Sequence, residues 1–257
     1  MKKGLIIGKG WLGSRLEKYL EKQFLIETTK RISDAENCFS IDFDNYKSEK
    51  ISTDYDFVIV TIPFGRRNNL DDLQQRFQHL IDFLGDYNNQ LILLSSTAIY
   101  PENNEIISEN SIETIYLNNP YYSIENQLKE KFTQLIILRL GGLMGDDRFL
   151  SKYIDLNSQN LSQMVNHIHY LDICQVIEKM INVNKKTSIY NVVAPKHPTK
   201  EEVLEYQLNK KIISSTNREG KIISSQKIQD EFNYEFIYTN PVYFIEDISI
   251  YSSFLSI

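Results

Sequence analysis

Apolar positions along the chain switch between two periods, and the switching sets the elements. Leu5-Ile6-Ile7 is a short continuous apolar run, as in a strand covered on both faces, and Leu12, Leu16, Tyr19 and Leu20 then recur at helical spacing. Residues 24–29 predict a second strand and residues 38–43 a third. Only eight residues (30–37) separate these two, too few for a crossover helix, which normally needs about a dozen. A fourth strand is expected over 56–63. A long amphipathic helix follows over 69–87, with Leu70, Leu73, Phe77, Leu80, Ile81 and Leu84 on one face. Strands over 91–94 and 135–140 flank a helix over 121–132. Short strands over 165–170 and 189–193 flank a helix over 171–183. Thr199, with Glu201 and Glu202 behind it, opens another helix, and residues 225–232 predict a last one. The polar, irregular stretch 102–119 has the length of a functional loop. Strands alternating with helices predict an α/β, doubly wound, Rossmann-type fold with a mostly parallel sheet of about seven strands.

Composition narrows the classes. A chain of 257 residues with 42% hydrophobic and 24% charged residues can bury a substantial core, as one domain with an appended lobe. A net charge of −6 argues against nucleic acid as a partner. No apolar run approaches about 18 residues, so no membrane partner is expected. The amino terminus runs straight into a strand with no signal-peptide cleavage site, and Cys38 and Cys174 form no C-x-x-C pair. We therefore expect two buried packing thiols and a cytoplasmic location.

The first apolar run ends in Gly8-x-Gly10-x-x-Gly13, so strand, glycines and helix follow in the order a dinucleotide fingerprint requires. Gly8 would make the tight turn, Gly10 would let the backbone approach a pyrophosphate, and Gly13 would let helix and strand pack closely. Trp11 and Leu12 lie inside this loop, where the helix N-terminus favours an anion; Trp11 reads as packing as much as covering a ligand. Some 20 residues on, where an NAD-preferring site places an acid on the ribose, the chain has Thr28-Thr29-Lys30-Arg31. Two hydroxyls and two cations suit a 2′-phosphate, so Thr29, Lys30 and Arg31 favour NADP over NAD. Asp42 would face the adenine edge or cap a turn. Ile62, Pro63 and Ser95, at strand ends on the ligand edge, complete the expected cofactor-binding set.

The chain resembles the atypical extended short-chain dehydrogenase/reductase superfamily, of the NAD-dependent epimerase/dehydratase kind. The matching pieces are the glycine motif, Ser95-Ser96-Thr97-Ala98-Ile99-Tyr100-Pro101, Pro120-Tyr121-Tyr122 and Arg139-Leu140-Gly141-Gly142-Leu143-Met144-Gly145. Asn166-His167-Ile168-His169-Tyr170-Leu171-Asp172, Tyr190-Asn191-Val192 and Lys221-Ile222-Ile223-Ser224 follow in order, so the likeness covers most of the chain. The resemblance implies a dinucleotide-binding core over 1–142 and 165–193, with a small substrate lobe from 143–164 and 195–257. It implies Ser96 as the hydroxyl that bonds the reacting oxygen and a helix-head Tyr as acid/base, with a Lys four residues later. Here position four after Tyr121 is Glu125 and after Tyr122 is Asn126. A carboxylate beside a phenol moves its pKa away from a neutral-pH base. Matching the family's later helix acid to Glu130 favours Tyr122 over Tyr121 as the catalytic partner of Ser96.

The sequence thus supports an NAD(P)-binding oxidoreductase or epimerase-like enzyme acting on a small carbonyl or sugar, or a non-catalytic NAD(P)(H) sensor or scaffold that has lost the Tyr-x-x-x-Lys pair. A methyltransferase binding S-adenosylmethionine is remote. The expected partner is a small-molecule substrate, and the expected assembly a monomer or homodimer. His167 and His169 alternate on one strand face without further ligands at metal spacing, so no metal is expected; His169 would line the cleft or serve structure. Asp146-Asp147-Arg148 reads as a helix cap, and Thr216, Arg218, Lys221 and Ser224 fall in the lobe.

Overall fold

In a computed structural model of the chain, strand β1 (Lys3–Ile7) lies inside a seven-stranded parallel sheet, third from one edge. The structure describes residues 1–52, 54–64, 69–111, 119–154, 160–183, 187–212 and 217–245. Helix α1 (Trp11–Leu20) leads to β2 (Leu25–Lys30), which pairs with β1, and β3 (Cys38–Ser40) adds the edge. The connection between β2 and β3 contains no helix, as its length requires. Strand β3 ends at Ser40, shorter than the run to Phe43 that the apolar pattern suggests, because Phe43 enters a turn held by Asp42. Strand β4 (Phe57–Val60) pairs with β1 on its other side. Helix α2 (Leu70–Leu84), capped by Asn69, then leads to β5 (Gln90–Ser96).

The polar stretch after β5 contains β6 (Ile106–Ile107); residues 112–118 lie outside those described. Helix α3 (Pro120–Lys131) begins with Asn119 as cap and Pro120 in its first turn, and β7 (Leu135–Leu140) follows, fully buried. Strand β8 (Gly142–Met144) pairs with β9 (His167–His169), and α4 (Tyr170–Val183) leads to β10 (Ser188–Val192). The strand order is β10-β7-β5-β4-β1-β2-β3. Helix α5 (Lys200–Leu208) carries the reciprocal Thr199–Glu202 capping box, β11 (Ile222–Ile223) pairs with β6, and α6 (Gln226–Phe232) packs near β10.

Alternation along the central strands explains the layering. Ile6, Ile59, Ile92 and Leu138 face the cluster containing Leu16, Leu20, Cys174 and Ile177, from α1 and α4. Leu5, Ile7, Val58, Val60 and Ile137 face the cluster containing Leu73, Phe77, Ile124 and Leu128, from α2 and α3. Both thiols are free and buried. A separate cluster of Met144, Leu150, Val165, Val203, Leu204 and Phe244 sits beyond the carboxyl ends of the strands. The carboxylate of Asp172 fastens that region to α4: it accepts the Tyr234 hydroxyl at 2.8 Å and the backbone N–H groups of Ile237 and Tyr238 at 2.8 and 3.1 Å. Among the described residues, no helix is long and apolar enough to cross a membrane.

Candidate functional site

The loop after β1 is fixed from two sides. Gly8 adopts φ +107°, a conformation side chains disfavour. Its N–H donates to the Thr29 hydroxyl at 3.1 Å, and its carbonyl accepts from the Thr61 hydroxyl. Gly13 cannot carry a side chain, because a β-carbon there would lie 2.2 Å from the Gly8 carbonyl oxygen. Gly10 differs: a β-carbon there meets nothing within 4 Å, so the space above it is open. Helix α1 starts at Gly10 without a side-chain cap, leaving its first-turn N–H groups and positive dipole end for an anion or water. These features fit the diphosphate of a dinucleotide.

A cavity of about 440 Å³ runs from Gly8 and Gly10 past Thr29, Lys30 and Arg31 to Ile41, Asp42 and Asp44, with Ile62 and Pro63 opposite. The residues assigned to the cofactor near position 30 thus share one wall. Their chemistry is more balanced than the sequence suggests. Thr29 is buried and holds the glycine loop, and Lys30 pairs with Asp34 at 2.6 Å. Arg31 meets Asp44 at 2.5 Å and Asp42 at 3.7 Å. Asp42 caps its own turn, accepting from the Asp44 N–H and the Asn45 amide. The Asn45 contact foremost, then the Asp44 N–H, Arg31 and Arg76, lower its pKa against the opposing effect of burial. Arg76 of α2, which sequence reasoning missed, lines the same cavity and donates to Asp44 at 2.6 Å. Its signal was present: position 76 falls on the apolar stripe with Leu73, Phe77 and Leu80, where a cation needs a partner.

A second cavity of about 220 Å³ opens at the ends of β4, β5 and β7 and shares Thr61, Ile62 and Pro63 with the first. Leu12, Ser95, Ser96, Tyr121, Gly141 and Leu143 also line it. Ser96 accepts the Ala98 N–H at 3.1 Å, so its own proton is free to be donated. The lining includes Tyr121 and not Tyr122, the residue favoured by alignment to Glu130. Phase along α3 is the reason: the Asn119 cap and Pro120 fix the helix start and place Tyr121 edge-on to Phe64 at the cavity, although both tyrosines also pack on the cluster of Ile99, Tyr100 and Ile107.

One turn beyond Tyr121, Glu125 is buried and accepts from Ser95 at 2.6 Å and from Arg139 Nη2 at 2.6 Å. Arg139 also donates to the Tyr100 hydroxyl at 2.9 Å, which in turn donates to Asn191 at 2.7 Å. This network holds the end of β5 against β7 and β10. Lys221 adds a clamp, its ammonium donating to the Tyr100 carbonyl at 2.9 Å and pairing with Glu102 at 3.0 Å.

Three other sequence-selected groups find structural roles. Asp146 and Asp147 do not cap a helix: they pair with Arg15 of α1 at 2.8 and 2.9 Å, Asp147 also accepts the Trp11 indole N–H at 2.7 Å, and the following 3₁₀ turn has no side-chain cap. Arg15 and Arg148 lie over the Trp11 ring at 3.9 and 4.1 Å, so Trp11 joins the loop after β8 to the start of α1. His169 is buried and stacked on Tyr238 at 3.6 Å, with burial lowering its pKa to about 4. No group of metal-ligating side chains occurs among the described residues, and Thr216 lies outside them.

No protein-family model matches the chain. Protein YeeZ of Escherichia coli (strain K12) is 26% identical over 274 residues, spanning 94% of this chain and 98% of that protein. Among solved structures, human epimerase family protein SDR39U1 with NADPH superposes with a TM-score of 0.71 at 13% identity, covering 94% of this chain and 97% of that one. Bordetella bronchiseptica WbmG in complex with NAD gives a TM-score of 0.73 at 12% identity, covering 98% and 94%. The fold is therefore that of the epimerase/dehydratase structures, in agreement with the resemblance carried by the sequence motifs. Nicotinamide cofactors of both types occur in such neighbours.

Proposed function

We propose that the protein binds NADP(H) along the two joined cavities and acts as an oxidoreductase or epimerase-like enzyme on a small carbonyl or sugar. The observation that carries this reading is the shared rim at Thr61, Ile62 and Pro63: one cavity ends at the glycine loop, the other at Ser96 and Tyr121. A bound nicotinamide supplies or accepts the hydride. The chain's own part is to hold the diphosphate on the first turn of α1 and to present hydroxyl donors to the substrate oxygen. Ser96 is one donor, since its lone pair is engaged by Ala98, and Tyr121 is the second. Arg31 supports NADP over NAD, because its side chain is 67% exposed and can swing from Asp44 to a phosphate.

In this reading residues 143–164 and 195–257 form the substrate lobe over a core of 1–142 and 165–193. The protein works in the cytoplasm on a small molecule, as a monomer or homodimer, without nucleic acid or membrane partners.

A second reading, a nucleotide-responsive binding protein without turnover, is favoured by one observation. Glu125 stands four residues after Tyr121, and the nearby Arg139 is engaged with Glu125 and Tyr100. A phenol lacking a neighbouring free cation keeps its role as donor but loses the general-base contribution, about 10²- to 10⁴-fold.

The experiment is a calorimetric titration with NADPH, NADH and S-adenosylmethionine, followed by NADPH consumption with a carbonyl panel. Nucleotide binding with turnover that Ser96→Ala and Tyr121→Phe each lower by about 10²- to 10³-fold, the loss of one hydrogen-bond donor to the reacting oxygen, supports the enzyme. Binding without turnover on any carbonyl supports the sensor. Absence of heat with both nicotinamide nucleotides refutes the two together.

A further inference from the structure

The wall of the larger cavity holds an arrangement that the cofactor reading does not require. Arg76 is a buried cation on the apolar stripe of α2, its side chain 10% exposed. Arg31 reaches the same point from the end of β2, its side chain largely in solvent. Between them stands one carboxylate: Asp44 Oδ1 accepts from Arg76 Nε at 2.6 Å, and Asp44 Oδ2 from Arg31 Nη2 at 2.5 Å. All three residues line the cavity that opens on Gly8 and Gly10. Two guanidinium groups converging on one oxygen pair form a seat for an anion with several acceptor oxygens. A buried guanidinium without a counter-charge is unfavourable, so an anion in that seat stabilises the folded chain, whether Asp44 or a ligand supplies it.

We infer that Asp44 is an internal stand-in for the 2′-phosphate of NADP(H), holding the Arg31–Arg76 seat until the nucleotide takes it. This rests on the proposed nucleotide reading and adds the residue that sets how strongly the extra phosphate counts. Asp44 suits an exchangeable part. It belongs to the turn after β3, and its backbone N–H is fixed to Asp42 independently of its carboxylate, so the side chain can leave without unmaking the turn. The exchange conserves charge type at the arginines: a carboxylate leaves and a phosphate carrying about −1.5 to −2 arrives, with more acceptor oxygens for the same donors. Discrimination against NADH then equals the phosphate's contacts minus those that Asp44 gives up. Without Asp44 the second quantity vanishes. Asp44 also repels an incoming phosphate while it remains nearby, so the native residue restrains NADP(H) affinity twice over.

The opposite role makes the opposite prediction. If Asp44 instead accepted the ribose hydroxyls of NADH, neutralising it would weaken NADH and raise the NADPH preference only through that loss. The test is calorimetric titration of the full chain and of Asp44→Asn with NADPH and with NADH. Arg31→Ala, a substitution at an exposed side chain, serves as the second variant. The expected result is a ratio of NADPH to NADH affinity that rises about tenfold in Asp44→Asn through tighter NADPH, and falls about tenfold in Arg31→Ala, each the size of one charge-assisted contact. An unchanged ratio in Asp44→Asn, or a ratio raised only because NADH binds more weakly, overturns the inference while leaving nucleotide binding intact. Failure of the unsubstituted chain to bind either nucleotide overturns both this inference and the reading on which it rests.

Discussion

Replacing Glu125 by Gln tests how the end of β5 is held. Both members of the Glu125–Arg139 pair are 1% exposed, and the carboxylate accepts three hydrogen bonds from Arg139 and one from Ser95. Gln keeps the volume and removes the charge, so Arg139 becomes a buried cation facing an amide that can offer one oxygen. Removing one partner of such a pair costs about 3–5 kcal/mol, because the remaining charge stays desolvated and uncompensated. For a chain of this size each kcal/mol lowers Tm by about 2–4 °C, so a drop of roughly 6–20 °C is expected. Urea denaturation gives the same quantity from the midpoint, provided the slope is unchanged. The double variant Glu125→Leu with Arg139→Met separates charge from packing: it should recover most of the loss, since an apolar pair of similar volume avoids desolvating any charge. A cost below about 1 kcal/mol for Glu125→Gln, or a double variant no more stable than the single one, would refute the argument.

Other substitutions separate stability from ligand binding. Gly10→Ala should leave stability within about 0.5 kcal/mol and weaken NADPH binding, since its β-carbon enters only the open space above the loop. Gly13→Ala should cost about 1–3 kcal/mol by denaturation, since its β-carbon meets the Gly8 carbonyl; equal stability losses for the two variants would contradict the assignment. Asp172 carries a pH signature, burial raising its carboxyl from 3.8 to about 6 against its three donors. A raised acid favours the protonated folded state, so its contribution is full below pH 3.8 and is lost as pH rises through about 6, by up to about 3 kcal/mol. Asp172→Asn should flatten the stability profile over that interval, and coincident profiles would rule the effect out. Lys221→Met should destabilise by about 1–3 kcal/mol through loss of its charge-assisted bond to the Tyr100 carbonyl, measured by urea denaturation.

The fold was legible because its signals are local and periodic. The apolar run at Leu5-Ile6-Ile7, the glycines after it and the helical spacing from Leu12 each constrain neighbouring residues, and parallel strands buried on both faces leave a near-continuous apolar trace. The missing crossover helix between β2 and β3 was likewise a matter of chain length. The order of elements, the glycine loop and the strand ends that line the two cavities were therefore readable from local pattern alone. Pairings across long separations were left to the tertiary structure. Thr28-Thr29-Lys30-Arg31 reads as a free cationic cluster; Lys30 is paired locally, four residues on, by Asp34, but Arg31 is taken by Asp44 of the turn after β3 and Arg76 arrives from α2, 45 positions beyond Arg31 in the numbering. Asp146 and Asp147 read as a cap but are taken by Arg15. Tyr121 and Tyr122 are adjacent in sequence, and only the phase of α3 against Phe64 decides which one reaches the cavity. The physical reason is common to all three. Spacing along one element reports which face a residue occupies, whereas charge balance and access to a cavity depend on what the opposite element brings.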